Sequence, residues 1–173
     1  VLNEDERTVS GEINLKSEKE INLAMVHTNP NLRSDGASDT EIKINAVNQD
    51  GLKLTGFNEV VNLSLSDESL GVLRTGAQIQ MVEGSGTAVF RSGVLSGTEF
   101  VHAQSSGTNP GVLRMSIAPL NPEFIRVETD RDTLYTKEGD YITLTAKVYD
   151  RYGNFVSDNA GELIVFRITD GTS

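Results

Sequence analysis

One pattern occurs twice in this chain, about a domain apart. Asp35-Gly36, Ile42-Lys43-Ile44-Asn45-Ala46-Val47-Asn48-Gln49-Asp50-Gly51 and Val61-Asn62-Leu63-Ser64-Leu65 come in that order. Their counterparts are Glu138-Gly139, Leu144-Thr145-Ala146-Lys147-Val148-Tyr149-Asp150-Arg151-Tyr152-Gly153 and Ile164-Val165-Phe166-Arg167-Ile168. An internal repeat of domain length points to an array of similar modules and away from a single catalytic body.

Each copy is built from short segments of period two. Glu41–Val47 places Ile42, Ile44 and Ala46 on one face, and Val61-Asn62-Leu63-Ser64-Leu65 turns Asn62 and Ser64 toward water. Gln78–Val82, Thr87–Phe90, Phe100–Ala103 and Val112–Ile117 follow, each bounded by turn residues. No helical spacing is sustained for three turns, so the expectation is an all-β chain. Strands with one apolar face need a second sheet to cover it, which predicts β-sandwiches of about 100 residues.

The first sandwich is expected over residues 21–119. Pro119-Leu120-Asn121-Pro122 ends the ladder and gives a linker at 120–122, since proline fixes φ and removes a donor. Residues 123–173 then hold the N-terminal part of a second sandwich. Residues 1–20 read as an extension or as the last strand of a preceding module. Half a sandwich leaves an apolar face bare, so the second unit is truncated, completed by another chain, or a smaller fold; truncation is the favoured reading.

Composition narrows the function classes. The formal net charge is −10, from 25 acidic and 15 basic side chains, a field that repels nucleic acid and anionic lipid. Arg126, Arg131, Lys137, Lys147 and Arg151 are interspersed with acids and form no basic stripe. There is no cysteine, hence no disulfide framework and no thiol chemistry. No apolar run is long enough to insert in a membrane, and no leader-like segment opens the chain. A start at Val1, with the first methionine at Met25, fits a mature or excised fragment.

With these residues in view, the order of features resembles bacterial Ig-like modules, more specifically the invasin/intimin-type group found in tandem on surface proteins. Val148-Tyr149-Asp150-Arg151-Tyr152-Gly153-Asn154-Phe155-Val156 is similar to that group's Val-x-Asp-x-x-Gly-Asn-x-Val signature. The first copy departs from it, with Asn48 for the aspartate and Leu52-Lys53-Leu54 for the last three signature positions. Gly86–Phe90 and Gly97–Ala103 resemble the closing strands, with Glu99 where an inward aromatic is usual. The resemblance implies tandem immunoglobulin-like β-sandwiches, the second incomplete, at an extracellular or cell-surface location.

Catalytic chemistry finds no footing. His27 and His102 are the two imidazoles and lack metal-site spacing, no nucleophile elbow or phosphate loop is present, and Gly84-Ser85-Gly86 reads as a hairpin turn. The expectation is no enzyme and no cofactor, with calcium as the one ligand worth weighing. Asp130, Asp132, Asp150 and Asp158 supply hard oxygens near a module junction, and some junctions of the resembled kind hold calcium. The competing reading is that these residues form turns through local hydrogen bonds. Tyr149 and Tyr152 flank Asp150 and form the expected contact surface, although packing between modules explains them equally well.

Three functions stay open. The leading one is a structural or adhesive module that spaces or presents a binding region, with neighbouring Ig-like modules and an unidentified protein or glycan as partners. The second is a glycan-binding or spacer module of a secreted polysaccharide-active enzyme. The third is a self-assembling surface-layer or filament subunit.

Overall fold

The computed structural model describes residues 20–133, 139, 141–157 and 164–167. The expected N-terminal extension, Glu20 apart, lies outside them, as does Asp158. Among the described residues every regular element is a strand.

Five strands form the first sheet. They are β1 (Ile21–His27), β3 (Asp39–Val47), β5 (Gly71–Leu73), β7 (Ser85–Ser92) and β9 (Thr108–Asn109), in the order β5-β7-β3-β1-β9. The second sheet contains β2 (Leu32–Arg33), β4 (Val60–Leu65), β6 (Gln78–Gln80), β8 (Gly97–Gln104) and β10 (Gly111–Ala118), in the order β2-β10-β8-β4-β6. A separate two-stranded sheet joins β11 (Phe124–Thr129) to β12 (Leu144–Tyr149).

The two larger sheets face each other across the core. Leu23, Ile42, Ile44, Ala46, Ala88 and Phe90 point in from the first, and Leu32, Val61, Leu63, Val101, Met115 and Ile117 from the second. This is the expected period-two burial: Ile42, Ile44 and Ala46 are buried, while Asn62 and Ser64 face water. The chain changes sheets after β1, where Pro30 cannot donate to a ladder. Asn29 fixes that corner, donating its side-chain amide to the Asp39 carbonyl at 3.2 Å and accepting the Asn31 N–H at 3.0 Å. The chain then re-enters as β2, parallel to β10.

Two local expectations need refining. The hairpin between β6 and β7 turns on Glu83-Gly84, one step earlier than Gly84-Ser85-Gly86. Both central residues have positive φ, 49° and 73°, as a tight primed turn requires. At Gly84 a side chain is also sterically barred, because a Cβ would lie 2.2 Å from the Leu54 carbonyl oxygen. Glu99 does point inward and is fully buried. Its Oε1 accepts the Ser66 N–H at 2.7 Å, the Ser66 hydroxyl at 2.8 Å and the Phe100 N–H at 3.0 Å. A carboxylate tying β8 to the loop after β4 thus stands where an aromatic is usual.

The repeat is structural down to single hydrogen bonds. The pairs Leu23↔Ala46 and Met25↔Ile44 of β1–β3 return as Ile125↔Val148 and Val127↔Ala146 of β11–β12, each displaced by 102 residues. The isolated bridge Val47↔Lys53 likewise returns as Tyr149↔Phe155. Asn48 Oδ1 accepts the N–H groups of Asp50 and Leu52 at 3.0 and 2.8 Å; Asp150 Oδ1 accepts those of Tyr152 and Asn154, both at 2.9 Å. Gly51 and Gly153 complete the two turns at φ 80° and 84°, a conformation open to glycine at little cost.

Candidate functional site

The turn after β12 does more than reverse the chain: it enters the end of the sandwich. Two loops of the sandwich form a cradle around it, residues 33–38 and 92–96. They are tied together by the Gly36 N–H on the Gly93 carbonyl at 3.0 Å and by the Ser92 hydroxyl on the Arg33 carbonyl at 2.7 Å. The Asp35-Gly36-Ala37-Ser38 stretch holds its own loop, since Asp35 Oδ1 accepts the Ala37 and Ser38 N–H groups at 2.8 and 2.6 Å.

Into this cradle the turn places Asp150, which is fully buried, and Asn154, which is 7% exposed. Oδ1 of Asp150 closes its own turn, while Oδ2 faces outward from it. That second oxygen accepts the Leu120 N–H at 2.9 Å, the Asn154 side-chain amide at 2.8 Å and the Ser34 hydroxyl at 3.4 Å. Asn154 uses both ends of its amide. Its Nδ2 donates to the Val94 carbonyl at 2.9 Å and the Ser34 hydroxyl at 3.2 Å, and its Oδ1 accepts the Ser96 N–H at 2.9 Å.

Electrostatics favour an ionised Asp150. Desolvation pushes its pKa upward, but the hydrogen bonds from the Asn154 side chain and from the Leu120, Asn154 and Tyr152 N–H groups outweigh that penalty and hold it below the ordinary carboxylate range. A buried charge is tolerated only when it is paired or fully hydrogen-bonded, and donors meet both oxygens here. The connecting segment is fixed from both sides as well. Arg33 donates to the Pro119 carbonyl at 2.8 Å, and the Glu123 N–H reaches the Tyr149 carbonyl at 2.8 Å.

No family model and no curated protein matches the sequence. A glycosyl hydrolase family 2 member from Bacteroides cellulosilyticus is similar over 58% of this chain and 14% of its own, at 17% identity and a TM-score of 0.53. A beta-glycosidase from Bacteroides vulgatus is similar over 57% of this chain and 14% of its own, at 11% identity and a TM-score of 0.52. The Escherichia coli adhesin FdeC is similar over 79% of this chain and 43% of its own, at 17% identity and a TM-score of 0.47. The fold is an all-β, immunoglobulin-like sandwich. At these identities and coverages the likeness is one of fold alone.

Of the expected calcium ligands, Asp130 and Asp150 are not brought together. Thr129 pairs with Leu144 and Phe124 with Tyr149, so Asp130 and Asp150 sit at opposite ends of a six-residue ladder, roughly 20 Å apart. Asp130 caps the far end by accepting the Thr143 N–H at 3.0 Å, which also draws its pKa down, and Asp132 is exposed beside it. Asp150 Oδ1 closes its own turn and Oδ2 is taken up by the Leu120, Asn154 and Ser34 donors, whereas the Asp130 partner is Thr143 across the ladder and not a residue of its own turn. Among the described residues no cluster of His, Asp and Glu is arranged to hold a metal.

Of the expected contact tyrosines, Tyr149 is half-buried. It stacks on Phe124 at 5.6 Å and meets the edge of Phe155 at 5.9 Å. Tyr152 stands on the turn with 43% of its surface exposed. Sequence reasoning missed Ser34, Val94, Ser96 and Leu120. Only the Asp35-Gly36 element beside Ser34 marked the cradle, and nothing marked its partner.

Proposed function

We propose that this chain is a non-catalytic structural module of a bacterial cell-surface or secreted multidomain protein, where it holds neighbouring Ig-like modules at a fixed angle to space or present a binding region. The observation that carries the reading is the buried contact of Asp150 and Asn154 with Ser34, Val94, Ser96 and Leu120. A flexible tether between independent domains has no use for a desolvated carboxylate whose partners lie on the next module and on the linker itself. A spacer has: the contact turns two beads on a string into one rigid piece.

Limited proteolysis tests this directly. Chymotrypsin is expected to spare the bond after Leu120 in the parent chain, because the linker's groups are engaged on both sides, and to cut it in an Asp150→Ala/Asn154→Ala variant whose sandwich still melts cooperatively. Equal cutting of parent and variant contradicts the reading.

A further inference from the structure

The outer face of the β11–β12 hairpin carries a cluster that the junction does not use. Phe124 and Tyr149 lie side by side across the ladder, and the Arg126 guanidinium sits over both rings, 5.4 and 5.1 Å from their centroids. Lys147, directly across the ladder from Arg126, is taken up by Glu128 at 2.7 Å. Among the described residues Arg126 has no carboxylate and no carbonyl partner, so its planar fork of donors is open. Phe155 extends the aromatic row and leaves 53% of its surface exposed.

The repeat supplies an internal control. Displaced by 102 residues, the ladder positions of Phe124, Arg126 and Tyr149 are those of Asn22, Ala24 and Val47, and Phe155 corresponds to Lys53. The same backbone, with the same register, is therefore held in the sandwich with neither aromatic nor arginine at these places. The fold does not ask for the cluster. It lies on the face of the ladder opposite Ile125 and Val127, which leave 51% and 53% of their surface exposed.

We propose that this face is a docking surface for an acidic saccharide, with Arg126 pairing a carboxylate or sulfate and Phe155 packing the apolar face of the sugar ring. The charge argues for the class. In a chain of net charge −10 an anion is repelled nearly everywhere, and an open guanidinium pre-oriented on two rings is a local exception with the fork geometry that carboxylates and sulfates match. The exposed aromatic beside it suits the C–H face of a pyranose better than a purely acidic peptide, which needs only charge. This goes beyond the spacer reading and fails independently of it, since sugar binding leaves linker protection unchanged.

Calorimetric titration of the full chain with an oligogalacturonate, a heparin-derived oligosaccharide, a neutral cello-oligosaccharide and polyglutamate tests the proposal. Binding of at least one anionic sugar is expected, above that of the neutral sugar and polyglutamate and weakened by added salt. Arg126→Ala and Tyr149→Val install the residues that the sandwich already carries at Ala24 and Val47, so both variants should fold. Each is expected to weaken binding about tenfold or more, as loss of a charge-assisted or aromatic contact does. The uronic and sulfated arms distinguish the source of the anion. No binding of either anionic sugar, binding unchanged in both variants, or equal binding of the neutral sugar or polyglutamate overturns it.

Discussion

Asp150 and Glu99 are both withdrawn completely from solvent, and their surroundings treat them differently. Every lone-pair direction of Asp150 meets a donor, whereas Glu99 concentrates its donors on Oε1 and leaves Oε2 without a partner among the described residues. Glu99→Ala removes one acceptor from the Ser66 N–H, the Ser66 hydroxyl and the Phe100 N–H, while the two N–H groups keep the Phe100 carbonyl and the Ser66 hydroxyl as second partners; it is expected to cost about 1–3 kcal/mol in urea unfolding, and Glu99→Gln, which keeps the accepting oxygen, costs less. Asp150→Asn sets an amide donor against the Leu120 N–H or the Asn154 amide, with an expected loss of about 1–3 kcal/mol at neutral pH. The sign of the pH effect follows from the depressed pKa in the folded state. The contribution of Asp150 is fully present above its unfolded pKa of about 3.9 and fades as pH falls through the lower folded value. The stability difference between the parent and Asp150→Asn should therefore shrink on acidification below about pH 4. A difference that stays constant to low pH contradicts this account of the site.

The strands were legible because burial on one face writes a period of two into the sequence, and the segments containing Ile42–Ala46 and Val61–Leu65 lie where that period puts them. Ile44 has no exposed surface, so Ile44→Ala is expected to destabilise the sandwich by about 2–5 kcal/mol in the same assay, and Thr87→Ala, on an outward position of β7, by far less. What the sequence could not convey was partnership. Val-x-Asp-x-x-Gly-Asn reads correctly as a turn, but Ser34 lies 116 residues from Asp150 and Ser96 lies 58 from Asn154, and no local pattern announces a contact of that range. Asn48 closes the same turn as Asp150 does, through the same two N–H groups, so the turn alone does not need the charge. Asp150 and Asn154 in addition bond Ser34, Val94 and Ser96 of the sandwich.

At the scale of the whole molecule, the hairpin and the sandwich form a continuous piece through residues that local chemistry alone leaves unexplained. The linker prolines signalled a break in the ladder, and the ladder does break there. The break is nonetheless tied on both sides: Pro119 is held by Arg33 of the sandwich and Glu123 by Tyr149 of the hairpin, while the Leu120 N–H reaches Asp150. The absence of cysteine makes the central claim open to a direct measurement. Spin labels at Ser64→Cys on the sandwich and Thr145→Cys on the hairpin, both exposed positions, report the distance between the two bodies by pulsed electron resonance. A locked junction predicts a single narrow distance distribution in the parent chain that broadens when Asp150→Ala and Asn154→Ala are added. A distribution already broad in the parent, or one left narrow by both substitutions, contradicts it.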